Sequence, residues 1–192
     1  MKKLERGEKG YLKQRKTGLY LHLAILIVIA ILIFIVGLLL NKGDKANIFT
    51  VAAVLMVLPA AKTFVLLVVY FPYHEMNADD RNFVEGLIKP GDTVFYDAVF
   101  TSSETKMHLD AVIVTGHQVI GYTGRKKDDI SKIDRYFKNE FLKRQLSYVC
   151  YITDSKKSLE NRIKMRSVSE ELSEKQAAEK EEVISLIRTQ IV

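Results

Sequence analysis

The residues best suited to chemistry gather between positions 97 and 110: Asp97, Glu104, Lys106, His108 and Asp110. Carboxylates with a lysine are the types a metal-assisted phosphoryl reaction needs. Hard oxygens hold the ion, and a cation meets the phosphoryl charge. "TSSETK" contains a literal Glu-x-Lys, Glu104-Thr105-Lys106, in a stretch that reads as a turn between two strands. With Asp110, His108 and His117 could bind a metal, yet their spacing matches no standard zinc pattern. The plainer reading makes them edge or surface histidines. Cys150, in "YVCYIT", is the only cysteine and reads as a small buried hydrophobe. A catalytic thiol would need a His and an acid close to it in space.

A second unusual group lies in "VLMVLPAAKTFVLL" (54–67), where Pro59 removes a backbone donor and Lys62 adds a charge to an apolar run. Residues 19–40 contain no Lys, Arg, Asp or Glu. At the helical rise they reach roughly 33 Å, enough for a hydrocarbon core of about 30 Å. Residues 48–71 form the second run, so two transmembrane helices in an antiparallel hairpin are expected. The first run is too long for a signal peptide and ends without a small-residue cleavage site.

Three readings of Lys62 stay open. It snorkels beside a Pro59 kink, it pairs with freed carbonyls or a partner subunit, or it serves a transport pathway. Ala60 and Ala61 would let another helix approach closely, giving a homo- or hetero-oligomer through the membrane helices.

Net charge is +6. Residues 1–16 hold seven basic and two acidic residues, a net of +5. Residues 78–192 hold 19 of each sign, a net of zero. Basic residues flanking membrane helices stay on the cytoplasmic side. Both termini are therefore expected in the cytoplasm, with the N-terminus against anionic lipid headgroups. The expected divisions are a basic N-terminus (1–18), a membrane hairpin (19–71, helices 19–40 and 48–71) and a cytoplasmic α/β domain (78–192).

Within that domain Asn77 or Asp79 would cap a helix running to about Leu87, with Phe83, Leu87 and Ile88 on its buried face. Strands follow at 92–101, 107–115 and 117–123, the last two joined by a turn at Gly116. Ile133, Tyr136, Phe137, Phe141 and Leu142 mark a helical stripe. Residues 147–153 read as a buried strand. Ser158 is placed as a helix cap, and "SVSE" (167–170) has capping-box spacing. Residues 183, 186, 187 and 191 mark an amphipathic helix. The order is α-β-β-β-α-β-α.

That order is similar to the restriction-endonuclease-like core of the PD-(D/E)XK nucleases, over residues 78–153. "HLDAVIVTGHQVIGYTGRK" resembles the middle of a nuclease-related domain, where an Asp strand leads through a Gly turn to a Glu-x-Lys strand. The resemblance implies Mg²⁺ held by Asp and Glu, and a Lys near the phosphate. Asp110 matches the Asp and Gly116 the turn, but Gly121 stands at the Glu position and Thr123 at the Lys position. The whole layout also resembles short two-helix bacterial membrane proteins labelled O-linked N-acetylglucosamine transferase-like, though no nucleotide-sugar site is visible.

The expected function is an integral membrane protein with a non-catalytic interaction or scaffolding domain. The alternatives are a membrane-tethered, metal-dependent nuclease working through Asp97, Glu104, Lys106 and Asp110, and a small channel or transporter subunit working through Lys62. No cofactor is expected, with Mg²⁺ the alternative. Nucleic acid is not expected as a partner, because membrane proximity favours lipid headgroups as the counterpart of the basic stretches.

Overall fold

The computed structural model describes residues 4–102, 106–125, 129–165 and 174–192. The chain forms two compact units. One is Lys13–Pro72; the other joins the residues up to Leu12 with Tyr73–Val192.

The first unit is helical. α1 spans Tyr11–Leu40 and starts well before the apolar run. Residues 11–17 are rich in Lys, Leu, Gln and Arg, all good helix formers, and nothing among them stops the helix. α2 (Ile48–Leu55) and α3 (Val57–Tyr70) continue one another across Met56. Pro59 explains the break. It has no N–H for the Leu55 carbonyl, and its ring crowds that carbonyl. Asn47 caps α2 by accepting from the Thr50 N–H at 3.0 Å. Gly37 lets the two arms meet, since a Cβ there would lie 2.5 Å from Phe49 Cβ. α1 and the 23-residue segment Ile48–Tyr70 are each long and apolar enough to cross a membrane.

The second unit is a small mixed sheet between helices. Its elements are α4 (Ala78–Leu87), β1 (Thr93–Thr101), β2 (Lys106–Val114), β3 (Gln118–Tyr122), α5 (Ile130–Lys143), β4 (Val149–Thr153), α6 (Lys156–Lys164) and α7 (Glu174–Gln190). The strand order is β1-β2-β3-β4. β1–β2 and β2–β3 pair antiparallel, and β3–β4 parallel. A parallel pair needs a crossover, which α5 supplies. On one face Phe95, Leu109 and Val112 pack with Phe137 of α5 and Ile187 of α7. On the other, Ala111, Ile113 and Ile120 pack with Val84 of α4 and Leu159 of α6.

Local chemistry sets the helix starts, and some differ from expectation. Asn77 caps α4 through the Asp80 N–H at 2.7 Å. α6 starts at Lys156, earlier than the sequence suggested, because Ser155 rather than Ser158 is its cap. The Ser155 N–H donates to Thr153 Oγ1 at 3.1 Å, which turns the chain directly out of β4. Leu142 is 74 % exposed, not part of the buried stripe. Four-residue spacing aligns Ile133, Phe137 and Phe141, and one more residue rotates about 100° away. "SVSE" lies outside the described residues.

The N-terminal segment is not separate from the sheet. Gly7 C=O accepts from the Tyr96 N–H at 2.7 Å, and Glu5 pairs with Arg188 at 3.2 Å. Its backbone supplies acceptors that the β1 edge lacks. The C-terminus joins the same edge, as the Val192 N–H donates to Val99 C=O at 3.0 Å.

Lys62 lies on an exposed face of α3, while Thr63 Oγ1 donates to the Pro59 carbonyl at 3.0 Å. A midplane charge costs about 3 kcal/mol on insertion scales. Lys62→Leu is therefore expected to raise membrane insertion and abundance in a glycosylation-mapping assay. Loss of a detergent-stable oligomer on native gels would show instead that the ammonium holds a partner.

Candidate functional site

Asp97, His108 and Asp110 converge. One ligand atom from each lies within 4.8 Å of the other two, and all three residues are buried. The strand register brings them together. Thr93↔Val114 through Thr101↔Lys106 sets Asp97 directly opposite Asp110, yet no ladder pair forms there. Asp97 has φ +50°, a conformation that Asp tolerates better than most side chains.

This backbone irregularity has a consequence for the side chains. In β1, Phe95, Ala98 and Phe100 share one face; in β2, Met107, Leu109, Val112 and Val114 do. Both strands therefore slip one step in their alternation, at Tyr96–Asp97 and at Asp110–Ala111. The slip gathers the polar residues on the α4 side of the sheet, while apolar side chains cover both faces beyond it.

The surroundings fix each group. Asp97 Oδ1 accepts from the Met76 N–H at 2.6 Å, and Oδ2 lies 3.8 Å from Arg81 Nη2. Burial raises the Asp97 pKa to about 6, ahead of the opposing effects of the Met76 N–H and Arg81; Glu75 and Asp110 raise it further. His108 Nδ1 is 3.6 Å from Asp110 Oδ1. The His108 ring stacks on Tyr73 at 5.0 Å, nearly parallel, and Arg125 lies over the same tyrosine ring at 5.2 Å. Asp110 Oδ2 accepts from the Gly124 N–H at 2.5 Å. A side chain at 124 would also meet Asp80 Oδ2 and the Tyr122 hydroxyl, so both approach the cluster. Lys156 pairs with Asp80. The Tyr122 pKa is pushed up to about 12, by burial first and then by Asp80, Asp110 and Asp154.

Of the residues singled out in the sequence, Asp97, His108 and Asp110 come together. Lys106 begins β2, four residues from Asp110, roughly 13 Å along a strand. Glu104 lies outside the described residues. His117 is exposed in the β2–β3 turn. Gly121 is closed to a larger residue: a Cβ there would lie 2.6 Å from Ile152 Cδ1 and 2.9 Å from Leu109 Cδ1. It points into the α5–α7 core, on the opposite side from Asp110.

Sequence reasoning missed Tyr73, Met76, Arg81 and Gly124. The i, i+2 spacing of His108 and Asp110 was a usable signal for a shared strand face. The pairing of Asp97 with Asp110 needed the register.

Cys150 is buried at a distance from this cluster in sequence and element. Burial raises its pKa to about 12, with Asp134 adding to the effect and Lys138 opposing it. A raised thiol pKa means less thiolate at every pH below it. Against the ordinary value of 9.0, thiolate at pH 8 falls about a thousandfold. Maleimide should therefore label Cys150 only after denaturation, as read by mass spectrometry; rapid native labelling would contradict the buried placement. No protein-family model, curated protein or solved structure matches this chain.

Proposed function

We propose that this chain is a two-span membrane protein that holds a non-catalytic interaction domain at the cytoplasmic face of the cell membrane. One observation carries the non-catalytic part. Asp97, His108 and Asp110 are 3 %, 0 % and 7 % exposed. To reach carboxylates buried at that depth, a phosphodiester in a nucleic-acid backbone would have to displace the side chains that cover them. The closed space at Gly121 supports the same reading, because a Glu ligand would drive Ile152 and Leu109 out of a packed core.

The two long apolar helices support the membrane assignment. The net +5 over residues 1–16 supports cytoplasmic termini. The outer edge of β4 suits a protein partner. β4 is the last strand of the sheet; its first residue, Val149, is exposed, as is Leu142 near the end of α5. Such an edge offers unpaired backbone groups to an extended segment.

A metal-dependent nuclease of the PD-(D/E)XK type is the second reading. Its support is the side-by-side placement of Asp97 and Asp110 on a sheet whose first three strands are antiparallel and whose fourth is parallel to the third.

Two experiments test the proposal on the full-length protein. In detergent with Mg²⁺ or Mn²⁺ it should leave single- and double-stranded DNA and RNA intact. Cleavage abolished by Asp110→Asn would establish the nuclease instead. In a Cys150→Ser background, Asp44→Cys should label with an impermeant reagent on intact cells and Ser185→Cys should not. The reverse pattern would overturn the orientation.

A further inference from the structure

We infer that Asp97, His108 and Asp110 form a binding site for one divalent transition-metal ion of the Mn²⁺ or Zn²⁺ class. This goes beyond the interaction reading and does not depend on it.

The donor set comes first. Two carboxylates and an imidazole are a mixed oxygen–nitrogen set, which suits Zn²⁺ and Mn²⁺ better than the all-oxygen preference of Ca²⁺. Bonds of about 2.0–2.2 Å place ligand atoms roughly 3–4 Å apart around one ion. The donor atoms lie within 4.8 Å of one another, so small side-chain movements close the site.

A second observation points to a missing cation. Asp97 Oδ2 is buried and accepts no hydrogen bond from any described residue. Its nearest positive group, Arg81 Nη2, stands at 3.8 Å, beyond hydrogen-bond length. Glu75 Oε1 is likewise buried without a hydrogen bond. Glu75 and Asp110 both bring negative charge to bear on Asp97, opposed there by the Arg81 guanidinium. Lys156 is engaged by Asp80.

The surroundings are those of a held ligand set. Tyr73 stacking fixes the His108 ring, the Gly124 N–H fixes Asp110, and the Met76 N–H fixes Asp97. Groups that orient metal ligands in this way raise affinity by about 10–100-fold in known sites. The left-handed backbone at Asp97 is strain at the point where the carboxylates meet, and strain of that kind concentrates at ligand clamps.

The test uses untagged full-length protein in detergent, stripped with a chelator and dialysed against Mn²⁺ or Zn²⁺. Elemental analysis should find about one ion per chain. The near-isosteric Asp97→Asn and Asp110→Asn should each lower affinity at least about tenfold, while Asp79→Asn at the exposed start of α4 should keep it. Circular dichroism checks that each variant is folded. Electron spin-echo spectroscopy of bound Mn²⁺ in the unaltered protein should show coupling to a directly bonded imidazole nitrogen. His108→Gln should remove it. Should a carboxylate variant fail to fold, that signal decides alone. Folded protein that takes up no stoichiometric ion would overturn the site. So would an ion retained in both asparagine variants, or one without nitrogen coupling. In those cases Arg81 is the counter-charge and the cluster is a buried polar network.

Discussion

Two carboxylates set opposite each other on neighbouring strands repel, and burial makes that repulsion harder to screen. Asp97 and Asp110 are in this position at the middle of the β1–β2 pair. The surrounding structure is organised around their accommodation. Asp97 leaves the extended conformation, the ladder omits one pair, and the Met76 N–H and Arg81 turn toward one carboxylate as the Gly124 N–H turns toward the other. The Met76 bond also ties the stretch leading into α4 to the sheet. The helix start is thus held by an interaction outside the helix as well as by its Asn77 cap.

The alternation slip reconciles two demands. The sheet is covered on both faces, by α5 and α7 on one and by α4 and α6 on the other. A strictly alternating strand would put Val112 and Val114 in the row of His108 and Asp110, out of the α5–α7 core. By slipping one step at Asp110–Ala111, β2 keeps Val112 and Val114 in the α5–α7 core and still presents Ala111 and Ile113 to α6. β1 slips at the matching point, so the pair stays in register.

Pro59 plays a comparable part among the long helices. It interrupts the hydrogen-bond ladder at the Leu55 carbonyl, and the helix divides at Met56. Lys62 sits just beyond this break. The Leu55 carbonyl and a charged side chain in the same stretch both need polar partners in a hydrocarbon environment, because no water is available to supply them.

The two long apolar helices, the small α/β domain after them, the Asn77 cap and the burial of Ile133, Phe137 and Phe141 were legible in the sequence. Each depends on local pattern: run length, capping chemistry or helical period. The start of α6 was misplaced because Ser155 and Ser158 are both chemically able caps, and the end of β4 decides between them. Leu142 was misassigned because one residue at a helix end changes its face. Asp97, His108 and Asp110 were individually visible as chemical types, but their union was not. It depends on which residue of β1 lies opposite which residue of β2, a register set by the packing of both sheet faces. The inward direction of Gly121 was likewise hidden, since the cost of a side chain there comes from Leu109 on β2 and Ile152 on β4. The sequence determined which groups were present and which elements carried them. Only the tertiary structure decided which groups share a space, because cross-strand contacts join residues that no short-range spacing relates.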